Sequence, residues 1–383
     1  MLAIMALEFR SLLKERRGTI AVLFGVPVVY TLLFGLLYSA NIIKNIPLVI
    51  CDQDQTAVSR ALVQAFADSE RYDIVGQVVT LEDMERYMRN NAAMAAVVIP
   101  PQFSRDIKLS RAATVLIEIN AANLMFANNV LSSCQEIVQT FSAAAAQKLL
   151  EGINQPPDQA LRTAAPVRIS VRITDNPTVA YSNFILPGLS INGLQIAIYL
   201  VSCTLLTTEY AALLRRELPV WAIIFGKLAP CWLLAVLSYL LSIGLLVACF
   251  GVPFRGSPAH LLLVGGAFSF AITAFGLFIS SLTPNVLFVI PNAALYIMSS
   301  FLCSGYSWPL FAMNDFGRSY AALLPITYAA ATVRDIMLAA HAPGMLRNTL
   351  ILLGFGGICC LLAMAFFALR RKKAAAKFQE GLT

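Results

Sequence analysis

The sequence predicts an integral membrane protein: a membrane α-helical bundle of six transmembrane helices with an α/β extracytoplasmic domain inserted after the first of them. Three observations predict it. The 383 residues are 58% hydrophobic and only 13% charged, with a mean hydropathy of +0.72, too apolar for a soluble globular chain. Six charge-free apolar runs approach the ~20 residues that a helix needs to cross a bilayer. A polar stretch, residues 45–183, separates the first run from the other five and carries alternating strand and helix signals.

The elements follow in chain order. Residues 1–17 place Leu2, Met5, Phe9, Leu12 and Leu13 at helical spacing opposite a charged face, the pattern of an amphipathic helix lying on the cytoplasmic membrane surface. The first span occupies residues 18–43. Ser39 and Ala40 could mimic a signal-peptide cleavage site, but the apolar run is longer than a signal h-region, so an uncleaved span is expected. Residues 184–369 hold the other runs: Phe184 to Leu206, Leu228 to Phe250, Leu261 to Leu282, Val286 to Cys303 and Leu350 to Leu369, followed by a basic tail at 370–383. Lys and Arg mark the cytoplasmic side. Arg10, Lys14, Arg16 and Arg17 precede the first span, Arg215, Arg216 and Lys227 lie between the second and third, and Arg370, Arg371, Lys372, Lys373 and Lys377 follow the sixth. The other side has Arg255, Arg318, Arg334 and Arg347. Both termini are therefore expected in the cytoplasm.

Within the insert, Pro47 to Cys51 reads as a buried strand, and Ala57 to Asp68 as a helix burying Val58, Ala61, Leu62, Ala65 and Phe66. Further strands are expected at Tyr72 to Val79, Ala95 to Ile99, Val115 to Ile119 and Val167 to Ile173. Helices are expected at Leu81 to Arg89, Gln102 to Leu109 and Ala122 to Leu150. Cys51 and Cys134 could meet as a disulfide or stay as two buried thiols, and sequence separation leaves both open.

The chemistry excluded is as informative. No Gly-x-x-x-x-Gly-Lys-Ser/Thr loop is present to cradle ATP phosphates, and no Ser/His/Asp, Cys/His or paired-carboxylate arrangement is evident. No catalytic, cofactor-binding or metal-binding residues are expected, since the chain has only His260 and His341 and no Cys/His cluster at ligand spacing. The net charge of +7 flanks apolar spans without interleaved aromatics, which argues against nucleic acid. Cys203, Cys231, Cys249, Cys303, Cys359 and Cys360 lie in apolar helical stretches as small hydrophobes.

Two spans carry polar stripes. Gly188, Asn192, Gln195, Tyr199 and Ser202 share one face of the second. Asn285 at the edge of the fifth, with Asn292, Tyr296, Ser299 and Cys303, forms another. Amides are costly in lipid, so these stripes should face protein or water, as a translocation path or a dimer interface. Pro187 and Pro291 remove helix bonds there and can bend the spans. Residues 304–347 are expected to re-enter the outer interface, with Trp308, Phe311, Phe316, Tyr320 and Tyr328 as anchors and Trp308, Pro309, Pro325 and Tyr328 as an outer gate.

From Ser304 to Tyr328 the run Ser304-Gly305-Tyr306-Ser307-Trp308-Pro309, then Leu324-Pro325-Ile326-Thr327-Tyr328, resembles the ABC-2 transporter permeases. Asp52-x-Asp54, Ile99-Pro100-Pro101-x-Phe103 and Gly226-Lys227 look like the subgroup of bacterial drug and lipid exporters, so the resemblance covers essentially the whole chain. It implies a non-catalytic permease subunit in the bacterial inner membrane, paired with a second permease chain as a homo- or heterodimer. ATP and Mg would be held by a separate ATP-binding subunit, and a lipophilic or drug-like substrate would move outward. It also leaves room for a periplasmic adaptor protein. Docking on the ATPase is implied for the surface helix, including Lys14, and for the loop 207–227 with Glu209, Leu213, Leu214, Arg215 and Arg216. Many relatives carry Arg-Glu-Arg-Glu-x-Gly-Thr at the start of that loop, and here it reads Thr207-Thr208-Glu209-Tyr210-Ala211-Ala212. An alternative architecture is a membrane-anchored receptor, similar to phage-infection proteins, acting through its outer domain.

Overall fold

A computed structural model describes residues 2–14, 17–38, 43–109, 111–120, 124–151, 176–177, 180–215, 218–283, 285, 291, 296–297 and 299–380. They fall into two compact units, one of residues 42–171 and one of 1–41 with 172–383.

The chain begins with α1 (Leu2–Lys14) and α2 (Arg17–Leu37). The inserted unit runs β1 (Ile46–Asp52), α3 (Ala57–Ala67), β2 (Tyr72–Val78), α4 (Leu81–Arg89), β3 (Ala95–Ile99), α5 (Phe103–Lys108), β4 (Leu116–Ile119) and α6 (Leu124–Glu151). The strand expected at Val167 to Ile173 lies outside the described residues. Then come α7 (Tyr181–Ser202), a 3-10 turn at Thr207–Glu209, α8 (Tyr210–Arg215), α9 (Val220–Phe250) and α10 (Pro258–Leu282). A second 3-10 turn at Leu310–Ala312, α11 (Asp315–Ala322), α12 (Pro325–Ala339) and α13 (Met345–Glu380) complete the order.

In the inserted unit the sheet order is β2-β1-β3-β4, with β1 parallel to both neighbours and β4 antiparallel to β3. A central strand covered on both faces must be apolar throughout, as Leu48 to Cys51 are. Side-chain alternation sends Leu48 and Ile50 to the face covered by α3, α5 and α6, where Leu62, Phe66, Phe103 and Val130 complete a core. Val49 and Cys51 go to the other face, against Met84 of α4. Helix α3 buries Ser59, Leu62, Val63 and Phe66, while Ala61, expected inside, is exposed. The inward turn of Ser59 has a local cause: its hydroxyl closes a capping box with Thr56 and donates to Asp52 at 2.7 Å. Asp54 accepts from the Ser104 N–H at 3.0 Å, so the two aspartates organise the turn after β1. The Tyr72 hydroxyl reaches the Val130 carbonyl (3.2 Å), Ser133 and Cys134, fastening α6 to β2.

Among the described residues of the other unit, five helices (α2, α7, α9, α10 and α13, the last over residues 345–373) are long and apolar enough to cross a membrane, and the pair α11–α12, bent by 83°, would make six. The fifth run expected from sequence, Val286 to Cys303, lies mostly outside the described residues. Helix α7 is the axis of the bundle, packed by α2, α9, α10 and α12 and buried nearly all round. Small residues permit these approaches. A Cβ on Gly276 would lie 1.9 Å from the Ser202 hydroxyl, and one on Gly265 2.0 Å from the Tyr239 ring. Helix α9 begins at Val220, eight residues before the apolar run read from sequence, so Lys227 stands inside a helix and the loop 207–227 is correspondingly shorter.

Cys51 and Cys134 occupy cores on opposite faces of the sheet, and both are free, buried thiols. Burial, reinforced by Asp52 and Asp83, raises the pKa of Cys51, and burial raises that of Cys134, so little thiolate forms at neutral pH. Intact mass spectrometry without reductant is expected to give the fully reduced mass, with alkylation of both thiols only after unfolding. A mass lower by two hydrogens, restored by reductant, would contradict this placement.

Candidate coupling site and polar column

A lysine two turns into an apolar helix must snorkel to water or be neutralised where it stands. Lys227 is neutralised: its side chain is 2% exposed, and its Nζ lies 2.8 Å from Glu8 Oε2 and 3.2 Å from Glu209 Oε2. Glu8 is itself 7% exposed, whereas Glu209 keeps 33% of its surface. Three elements therefore meet at one ammonium: the surface helix α1, the 3-10 turn and α9. This corrects the expected face of α1. Leu12 is buried, one helical turn after Glu8, while Phe9 and Leu13, expected to share its stripe, are 38% and 46% exposed. The inward face combines a carboxylate with leucine because a buried cation lies opposite.

The segment from Cys203 to Leu218 is fastened on its other sides too. The Leu206 and Thr207 N–H groups donate to Ser280 Oγ at 3.0 and 3.3 Å, and the Tyr210 hydroxyl donates to the Ser281 carbonyl at 3.2 Å, both on α10. The Tyr210 ring meets Phe367 edge-on at 5.8 Å and lies under the Arg370 guanidinium at 6.0 Å, both on α13. Arg371 donates to the Leu218 carbonyl at 2.6 Å. Leu213, expected as an outward apolar knob, is 2% exposed and belongs to the bundle core, because α8 folds back onto the spans. The side chains of Lys14, Leu214, Arg215 and Arg216 lie outside the described residues.

The polar stripe of α7 faces the interior of its own bundle. Asn192, Gln195, Tyr199 and Ser202 are each at most 6% exposed. Asn192 Nδ2 donates to the Tyr30 hydroxyl of α2 (3.0 Å), and Gln195 Nε2 donates to Ser300 Oγ (2.7 Å). The Tyr199 ring stacks near Phe275 and Tyr296 at 5.5 and 6.1 Å. Thr31 and Ser190 add another α2–α7 bond at 2.9 Å. Their burial within one chain means that a partner chain could reach these four residues only after rearrangement. Asn192 Oδ1, Gln195 Oε1 and the Tyr296 hydroxyl are buried with no partner among the described residues, the costliest arrangement for an amide or phenol away from water. Ser299 bonds the Tyr320 hydroxyl at 2.7 Å, Asn285 is exposed, and Asn292 lies outside the described residues.

At the other end of α7 the consequence of Pro187 is visible. Gly188 N–H and the Phe184 carbonyl are the pair an uninterrupted helix would join. The Tyr306 hydroxyl stands between them, accepting from Gly188 at 3.1 Å and donating to Phe184. A Cβ at residue 188 would lie 2.3 Å from the Tyr306 ring, so only glycine admits the tyrosine. Among the residues expected to form a gate, Trp308 is 53% exposed, Pro309 caps the second 3-10 turn, Pro325 starts α12, and Tyr328 bonds the Ala322 carbonyl at 2.8 Å. Sequence singled out these four and passed over Tyr306, which makes the internal contacts.

Comparison with known proteins agrees across nearly the whole chain. The family described as "ABC-2 family transporter protein" matches residues 17–365. The probable multidrug ABC transporter permease YbhR of Escherichia coli is 24% identical over 90% of this chain and 91% of its own. YbhS, described in the same words, is 27% identical over 47% of this chain and 49% of its own. The inner membrane transport permease YhhJ is 23% identical over 86% of each.

The buried triad makes a measurable prediction. Lys227→Met leaves buried carboxylates without their cation and is expected to cost about 3–5 kcal/mol. Pairing it with Glu8→Leu should recover a large part of that loss, and Glu209→Gln alone should cost under about 1 kcal/mol because its carboxylate is partly solvated. Thermal unfolding in detergent as a double-mutant cycle measures this. Strictly additive losses for Lys227 and Glu8 would show that the two are not coupled.

Proposed function

The chain belongs to the ABC-2 family of transporter proteins, and from that premise we propose that it is the membrane-spanning subunit of an ATP-driven exporter for lipophilic or drug-like substrates. It is a permease and carries no ATP site of its own in this reading. A separate ABC ATP-binding subunit holds ATP and Mg, and a second permease chain, identical or different, completes the translocation unit. The relatives named as multidrug permeases support the substrate class, and the basic loops support a bacterial inner-membrane setting with both termini in the cytoplasm.

The observation that carries the proposal is the convergence on residues 203–218. This segment touches α9 through Glu209 and Lys227, whose ammonium is shared with Glu8 of α1, α10 through Ser280 and Ser281, and α13 through Phe367, Arg370 and Arg371. A push delivered there by a partner would reach three spans and the surface helix at once. Such a push does work only if the substrate binds the two resulting states differently. In the interior, the partnerless oxygens of Asn192, Gln195 and Tyr296 are the groups that a substrate's N–H or O–H donors would satisfy. Trp308, Pro309, Pro325 and Tyr328 would then lie at the outward exit. The receptor alternative gains no comparable observation.

The test is reconstitution in lipid nanodiscs with an ABC ATP-binding subunit encoded beside this chain, and with a second permease where one is encoded. The assembled complex is expected to hydrolyse ATP faster with a cationic lipophilic dye than without it. Glu209→Arg, which opposes Lys227 at a partly exposed position, should lower that stimulation at least about tenfold, equivalent to 1.4 kcal/mol, and leave the subunit's own hydrolysis unchanged. Assembly without any substrate-dependent turnover would overturn the proposal.

A further inference from the structure

At the end of the bundle where α7 and α13 begin, a half-open cavity of about 580 Å³ is lined by Asn176, Phe184, Arg334, Asp335, Leu338 and His341, among others. Its chemistry is mixed in an ordered way. The Arg334 guanidinium lies 5.4 Å from the Phe184 ring centroid and 5.1 Å from that of Tyr306, so aromatic faces hold it in place. Its Nε and Nη2 donate to Asp335 Oδ1 at 3.0 and 2.9 Å, and the two side chains remain 24% and 40% exposed. Both bonds end on one carboxylate oxygen, which leaves Oδ2 with acceptor capacity. A fixed cation therefore stands beside a carboxylate, with an apolar wall next to them.

The surroundings suit a lipid. Spans α7 and α13 both start at this level, where headgroups meet a bilayer's hydrocarbon. Leaving it along α13, Leu346, Leu350 and Leu353 share one face and are 64%, 59% and 43% exposed, a track for acyl chains. We propose that this cavity seats the headgroup of a zwitterionic phospholipid bearing a primary amine, with its phosphate on Arg334 and its ammonium on Asp335. Guanidinium and phosphate match in charge and geometry. A primary ammonium offers N–H donors to a carboxylate, which a quaternary ammonium lacks, and the nearby aromatic faces that could hold a quaternary group are already taken by Arg334.

The inference does not depend on transport, and its test uses the purified full-length chain alone. Detergent micelles are titrated with phosphatidylethanolamine, phosphatidylcholine, diacylglycerol or inorganic phosphate, with thermal unfolding and native mass spectrometry as readouts. The expected result is one retained phosphatidylethanolamine per chain, bound about tenfold more tightly than phosphatidylcholine. Arg334→Gln should weaken both phospholipids at least about tenfold. Asp335→Asn should erase the preference between them, and Ala339→Trp should block binding by filling the cavity wall without altering charge. Unchanged lipid affinity in Arg334→Gln and Ala339→Trp would overturn the proposal. Equal binding of diacylglycerol, or equal stabilisation by inorganic phosphate, would overturn it too.

Discussion

One ammonium group governs the organisation of the end of the bundle that carries the termini. Lys227 can stay buried in α9 only while carboxylates surround it, and these come from positions 219 residues and 18 residues away in sequence. Removing a buried charge's partner costs far more than the pair contributes over an apolar replacement, so the triad acts as a constraint on geometry more than as a source of stability. It forces α1 against α9 and draws the turn at Glu209 beneath them. The same turn is held by serines of α10 and aromatic contacts on α13, so the loop is a node with several fixed arms.

From that node upward, the bundle relies on close packing around a polar axis. Helix α7 has almost no surface of its own, and its amides and hydroxyls are spent on α2 and on the segment around Ser300. Close approach at Gly276 and Gly265 keeps α10 against α7 and α9, which is how helices associate where apolar surface alone gives no preference between neighbour and lipid. The oxygens in that axis that lack a partner among the described residues are where a polar guest would be stabilised by what the protein itself leaves undone.

Sequence periodicity carried most of the architecture. Spans of twenty apolar residues and strands such as Ala95 to Ile99 are legible because their signals are local. Strand β1 was readable for the same reason: covered on both faces, it is apolar from Ile46 to Cys51. The site was legible only in fragments. Glu209 and Lys227 stood out as a loop acid and a flanking cation, but Glu8 interrupts an amphipathic stripe and its partner is set by tertiary packing. Leu213 went the other way, since an apolar residue in a short loop gives no sign of whether it points outward or folds back. Tyr306 was hidden inside a family motif, and only geometry shows its hydroxyl bridging Gly188 and Phe184.

That bridge has a consequence for biogenesis. The Gly188 N–H and the Phe184 carbonyl, either side of Pro187, are bridged by a residue 118 positions beyond Gly188 in the chain. During synthesis α7 enters the lipid long before Tyr306 emerges from the ribosome. The early helix must therefore carry an open backbone pair, or close it directly, until the intervening spans have been inserted and the tyrosine arrives. The bridging of the central helix by Tyr306 is thus a late event in assembly, and an insertion chaperone would meet this span before the tyrosine has joined its Gly188–Phe184 pair.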